Sequence, residues 1–142
     1  MPGHRLLAIV GGGALCAGLF HLSVGSAGAQ QARLAPTENR GVTYEALVGL
    51  DLGNQIDLPG RQFRVRRLTM EPGGYVGLHE HRNRPAMIYV VQGQVTDHHE
   101  GGGEPREYRA GQVVAETVDL RHWIENTGGT PTVLVVVDLF KP

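Results

Sequence analysis

Cysteine is almost absent from this 142-residue chain: Cys16 is the only one, and Leu15 stands before it where a lipoprotein signal would carry a small residue. A single thiol near the start forms no disulfide within the chain, so stability has to come from burial of a core. Serine is missing altogether after Ser26. With neither a thiol nor a serine hydroxyl in the body of the chain, serine and cysteine nucleophilic hydrolysis is excluded there. Aromatic residues make up only 6%, so the core must rest on Val, Leu and Ile. No sign of charge is in excess either: 13 Lys and Arg against 14 Asp and Glu give a formal net charge of −1, without a long basic or acidic run. That balance gives no electrostatic footprint for nucleic acid or for an anionic membrane surface, and no nucleic-acid partner is expected.

The first 29 residues differ in kind from the rest. Arg5 and the N-terminus supply positive charge, Leu6 to Phe20 carries no charged residue, and Ala27-Gly28-Ala29 fits the small-x-small rule for cleavage before Gln30. The segment 1–29 therefore reads as a secretory signal peptide, with the protein exported to the periplasm or secreted after cleavage near Ala29. An uncleaved anchor is the competing reading. A Gly-rich stretch of this length is short for a hydrocarbon core of ~30 Å and has no charged stop-transfer flank, so no stable membrane anchor is expected after cleavage. The remaining chain, roughly 113 residues, is long enough to bury about two-thirds of its unfolded surface as one domain.

Gln30 to Gly41 has no apolar period and reads as a leader or an arm lying on a neighbouring surface, with a first strand from Val42 to Leu52 and turn signals at Gly53-Asn54 and Pro59-Gly60. The arm and first strand occupy 30–59. From 60 to 140, apolar and β-branched runs recur at close spacing: Arg61–Met70, Tyr75–His81, Ala86–Gln92, Gln94–His98, Glu107–Arg109, Val113–Thr117, His122–Asn126 and Pro131–Leu139. Glu71-Pro-Gly-Gly, Gly93, Gly101-Gly-Gly and Thr127-Gly-Gly-Thr separate them. Short strands with frequent turns and no helical period predict an all-β, single-domain antiparallel jelly-roll barrel.

The stretch Gly73 to Gly93 holds the most specific signal. His79 and His81 are two apart, so on a strand both imidazoles project from one face and can reach one metal ion, while Glu80 points away. The spacing Gly73-x5-His79-x-His81-x11-Gly93, followed by Gly111-x10-His122-x3-Asn126, resembles the two motifs of the cupin family over about residues 60 to 140. The resemblance implies a barrel with His79, His81 and His122 as ligands of one divalent metal ion, with Fe(II), Zn, Mn, Ni and Cu all open. It also implies a missing ligand. Ala86 stands where the family has a glutamate, and Thr117 and Asp119 stand where it has proline and glycine. A divalent ion on three neutral imidazoles would keep its full charge and an extra free position, similar to cupins that use iron(II) to bind substrate and dioxygen side by side. The expectation is a secreted three-histidine metalloenzyme, oxygenase-like, acting on a small organic molecule, with lyase and isomerase chemistry open. The alternative is a binding module that holds a metal or small ligand without turnover, or a barrel whose histidines hold no metal.

Other polar groups read as structural. Asp97-His98-His99-Glu100, beside Gly101-Gly-Gly, reads as a solvated hairpin end, and Asn126 as a residue fixing a turn through backbone hydrogen bonds. No general acid or base is expected beside the histidines. Alternation divides Arg64, Arg66 and Arg67: either the first two share a face with Leu68 and Met70, or Arg67 enters the barrel. An arginine inside would bind a carboxylate or phosphate group. Met87, Tyr89 and Val91 should face outwards, as should Trp123, and with the family resemblance they imply a homodimer.

Overall fold

The computed structural model describes residues 34–142. The expected signal segment 1–29, with the cleavage expected near Ala29, lies outside the described residues. Among the described residues, eight strands follow in chain order: β1 (Arg40–Asp51), β2 (Gln62–Glu80), β3 (Ala86–Gln92), β4 (Gln94–His99), β5 (Arg106–Arg109), β6 (Val113–Glu116), β7 (Arg121–Glu125) and β8 (Thr132–Phe140), with one helical turn, α1 (Gly53–Ile56), after β1. All pairings are antiparallel, in the order β5-β4-β7-β2-β8-β3-β6, with β1 added to β2. This is the expected jelly-roll barrel.

One strand departs from the sequence expectation. Arg61–Met70 and Tyr75–His81 are not two strands split by Glu71-Pro-Gly-Gly but one 19-residue strand, β2. Its first half pairs with β8 and its second half with β7, so β2 carries the chain from one wall of the barrel to the other. The bend is made where Gly73 takes φ +70 and Gly74 lies so close to β1 that a Cβ there would sit 2.7 Å from the Gly41 carbonyl oxygen. The glycines bend the strand instead of ending it. Between the turn signals at Gly53-Asn54 and Pro59-Gly60 the chain forms α1, closed by Asp57 in the left-handed conformation.

The core follows from alternation. Leu68 and Met70 on β2, Ile88 and Val90 on β3, Val114 on β6, Ile124 on β7 and Leu134 and Val136 on β8 all project inwards and are buried. Met87, Tyr89 and Val91 project outwards and are exposed, as expected. Trp123 also faces away from the interior, but it is only 3% exposed, because His98 on β4 stacks on it with ring centroids 3.8 Å apart and planes 4° from parallel. A neighbouring strand of the same chain covers it. Before β1, the chain lies across β2 as an arm: the Leu78 amide donates to the Pro36 carbonyl at 2.7 Å and the Gly77 amide to Asn39 Oδ1 at 2.9 Å.

Candidate metal centre

His79 near the end of β2 and His122 on β7 are direct cross-strand partners, and His81 follows β2 immediately. The three rings form a triangle with centroids 4.6, 4.9 and 5.1 Å apart. Sequence spacing and strand alternation therefore bring together the three histidines they pointed to. A fourth side chain joins them. Glu116, the last residue of β6, is 4% exposed and places its carboxylate oxygens 3.2 Å from His122 Nε2 and 3.6 Å from His81 Nε2. One ligand atom from each of His79, His81, Glu116 and His122 lies within 4.8 Å of all the others.

The expected absence of a carboxylate is thus corrected, and the register supplies the reason. Ala86 on β3 pairs directly with Glu116 on β6. The acidic side chain absent from position 86 enters from the facing position on the next strand, where Cβ atoms of opposed residues are only about 5 Å apart. Alternation carried the signal: Val114 and Glu116 lie on one face, and Val114 is core.

Each imidazole is oriented through its other nitrogen. Nδ1 of His79 donates to the Gly77 carbonyl at 2.8 Å, Nδ1 of His81 to the Arg84 carbonyl at 3.0 Å, and Nδ1 of His122 to Asp97 Oδ1 at 2.7 Å. With every Nδ1 engaged by an acceptor, Nε2 of each ring is left for a metal, the usual outer arrangement around metal-bound histidine. His81 Nε2 and His122 Nε2 face each other at 3.1 Å. Two ring nitrogens turned towards each other inside a barrel, with a carboxylate beside them, fit a shared cation. Three nitrogens and one carboxylate oxygen suit Mn, Fe, Ni or Zn.

Asp97 is a second correction. It does not belong to a solvated hairpin end: it is 2% exposed and its second oxygen takes His99 Nε2 at 3.1 Å. On β4, Val95 and Asp97 alternate inwards together, and the residues towards the Gly-rich turn, His99 and Glu100, are the exposed ones. Asn126 is as expected, its amide donating to the Met70 and Thr130 carbonyls and its oxygen accepting from the Gly128 amide.

Electrostatics separate the histidines. Burial pushes His79 down to about 4, so it is neutral at ordinary pH. Burial acts the same way on His122, but its bonds to Asp97 and Glu116 outweigh it and raise that ring to about 9. In the metal-free protein His122 is therefore an imidazolium at pH 7, and a metal must displace its proton. Titrating a divalent metal into the apo protein at pH 7, in two buffers of different ionisation enthalpy, should report release of about one proton per ion. Apparent affinity should rise roughly tenfold per pH unit between pH 7 and 8 and level off above about 9. Proton-independent binding across that range would contradict this. The same raised value stabilises the apo fold fully below the unfolded His pKa of about 6.5, a contribution lost as pH rises through about 9.

A cavity of about 290 Å³ opens beside the centre, lined by His79, His81 and Glu116 and also by Arg66, Arg84 and Asp138. Arg64 and Arg66 do share the inner face with Leu68, and Arg67 stays outside, paired with Glu45 at 2.8 Å. Asp138 on β8 has a fully buried side chain that accepts from Arg64 Nε at 2.9 Å and Nη2 at 2.8 Å, and from Arg66 Nη2 at 3.0 Å. Burial alone would raise its pKa, but these guanidinium groups hold it below the usual carboxylate range.

An antiparallel jelly-roll barrel with three histidines and a glutamate converging at one end of an internal cavity defines a barrel with a candidate metal centre. The Cupin_2 family, described as the cupin domain, matches residues 66–138, and the chain belongs to that family. It is 36% identical over 64 residues to an oxalate-binding protein of Thermotoga maritima, a match that covers 45% of this chain and about half, 51%, of that curated relative. Among solved structures, it resembles a predicted oxalate decarboxylase from Thermotoga maritima, with a TM-score of 0.57 and 23% identity over 75% of this chain and 94% of that one. It also resembles a polyketide cyclase from Streptomyces resistomycificus, with a TM-score of 0.59 and 19% identity over 73% of this chain and 68% of that one. At these identities the solved structures share the fold.

Proposed function

We propose that this protein is an exported cupin that holds one divalent metal ion on His79, His81, Glu116 and His122 and binds a small organic acid beside it. The observation that carries this is the convergence of four inward donors within 4.8 Å, with every imidazole turned by an acceptor on its far nitrogen. The oxalate-binding relative supports the choice of an organic acid. A bound ion would supply Lewis-acid polarisation of a ligand oxygen. The protein's own residues do the rest: Glu116 adds a negative charge to three neutral nitrogens, Asp97 fixes the His122 ring, and Ile88 and Ile124 add hydrocarbon to the cavity wall.

Metal analysis of protein recovered from the exported fraction, followed by calorimetric titration with oxalate, tests this reading. The expected result is close to one ion per chain, an N-terminus near Gln30, and oxalate binding that requires the ion. Equal oxalate binding before and after chelation would overturn it. Oxygen consumption and carbon dioxide release on small carbonyl and thiol compounds then separate an oxygenase-like enzyme from a binding module.

The family resemblance and the exposed Met87, Tyr89 and Val113 on adjacent strands β3 and β6 support a homodimer. Light scattering at micromolar concentration should give twice the chain mass, and Met87→Glu with Tyr89→Glu should halve it. A monomeric wild-type mass would rule the dimer out.

A further inference from the structure

The guanidinium groups gathered on Asp138 along the same cavity are not among the donors of the metal centre, although the Arg84 carbonyl holds His81 Nδ1. Asp138 contributes one negative charge, while Arg64, Arg66 and Arg84 place guanidinium nitrogens 2.8, 3.0 and 3.9 Å from its Oδ2, so the cluster is formally positive by two charges. Arg64 satisfies Asp138 with two hydrogen bonds and turns its group over the Phe140 ring, 3.7 Å from the centroid. The other two have donors to spare. Arg66 Nε is shielded from solvent and has no hydrogen-bond partner, and Arg84 reaches Asp138 only at ion-pair distance. Both line the cavity. A buried guanidinium nitrogen without an acceptor is costly unless something supplies one.

Register relates this cluster to the metal centre. Glu116 on β6, Ala86 on β3 and Asp138 on β8 are successive cross-strand neighbours in one row. Two strand spacings put the backbones of Glu116 and Asp138 roughly 10 Å apart, with the small Ala86 between them. Any larger residue at 86 would stand between the two ends. The cavity's 290 Å³ has room for about ten non-hydrogen atoms at roughly 30 Å³ each, and oxalate has too few to reach both ends.

We propose that the cavity takes a two-headed organic acid, with a metal-chelating carboxylate group at His79, His81 and Glu116 and a second anionic group, a few carbons away, held by Arg66 and Arg84. The carbon chain between them lies over Ala86, Leu68 and Ile88. This rests on the metal reading above for its first head alone; the second belongs to the arginines whether or not a metal is bound.

The test compares 2-oxoadipate with 2-oxohexanoate, which share the chelating head and chain length and differ in the distal carboxylate. Each is titrated calorimetrically into apo protein and into protein loaded with redox-inert Zn(II). The diacid should bind at least tenfold more tightly in both states, and Zn(II) should strengthen both ligands by a similar factor. Arg84→Gln, at the more exposed of the two arginines, should cut the diacid preference at least threefold. Arg66→Gln with Arg84→Gln should bring it near one, in the apo protein as well as in protein loaded to the same zinc content. Equal binding of the two acids by the wild type, or a preference that survives both substitutions, overturns the two-headed ligand. A preserved preference without any gain on zinc loading overturns the metal reading instead and leaves the arginine end standing.

Discussion

His81→Ala should lower divalent metal affinity by more than about 100-fold, a larger loss than the 10- to 100-fold that follows removal of a residue orienting a ligand. His81 is 1% exposed, its Nε2 lies 3.1 Å from His122 Nε2 and 3.6 Å from Glu116, and alanine removes one of the four clustered donors. Asp97→Asn is the informative companion. It keeps the ligands but replaces the carboxylate that accepts from His122 Nδ1, so its loss should fall within the smaller range. Equilibrium dialysis against a competing chelator measures both. Equal losses for the two variants would mean that His81 is packing rather than ligating.

Asp138→Asn should cost about 3 kcal/mol of stability at pH 7. Removing one partner of a buried ion pair typically costs about 3 to 5 kcal/mol, and the lower end applies because the Arg64 and Arg66 side chains keep 20% and 16% of their surface in solvent. Asparagine retains the shape but leaves three guanidinium groups crowded around a neutral amide. For a domain of this size the cost corresponds to a fall in Tm of about 10 °C, read by thermal unfolding. The pH dependence has a definite sign. Because Asp138 is held below its unfolded value of about 3.9, its contribution is present above that pH and disappears as pH falls through the depressed folded value. Wild type and variant should therefore converge in acid. A constant difference down to pH 2 would show that the carboxylate's charge is not what stabilises the barrel.

The barrel was legible because its strands alternate and its turns are marked by glycine. The three histidines were legible because two share a strand face and the third lies in a second motif at the matching spacing. What escaped was pairwise. Glu116 stands opposite Ala86 and beside the three histidines only because β3 and β6 pair in one particular register, and no property of either strand alone states that register. Asp97 was misread for a related reason: proximity to Gly101 suggested solvent, whereas alternation with Val95 placed it under His122. The Glu71-Pro-Gly-Gly turn signal failed because the same glycines that end a hairpin also let a long strand bend, here between the part of β2 that pairs with β8 and the part that pairs with β7. Arg64 and Arg66 were left open between two faces, and the buried Asp138 that draws them inwards lies 74 and 72 residues away in sequence.

The most direct test of the centre is metal stoichiometry and affinity in Glu116→Ala and in Glu116→Ala combined with Ala86→Glu, measured by elemental analysis after dialysis against a chelator. If Glu116 serves as the carboxylate ligand across the β3–β6 pair, the single variant should lose most of its metal. The double variant, carrying the carboxylate on the opposed position about 5 Å away, should recover affinity to within roughly tenfold of wild type. Full metal retention by Glu116→Ala would contradict the four-residue centre.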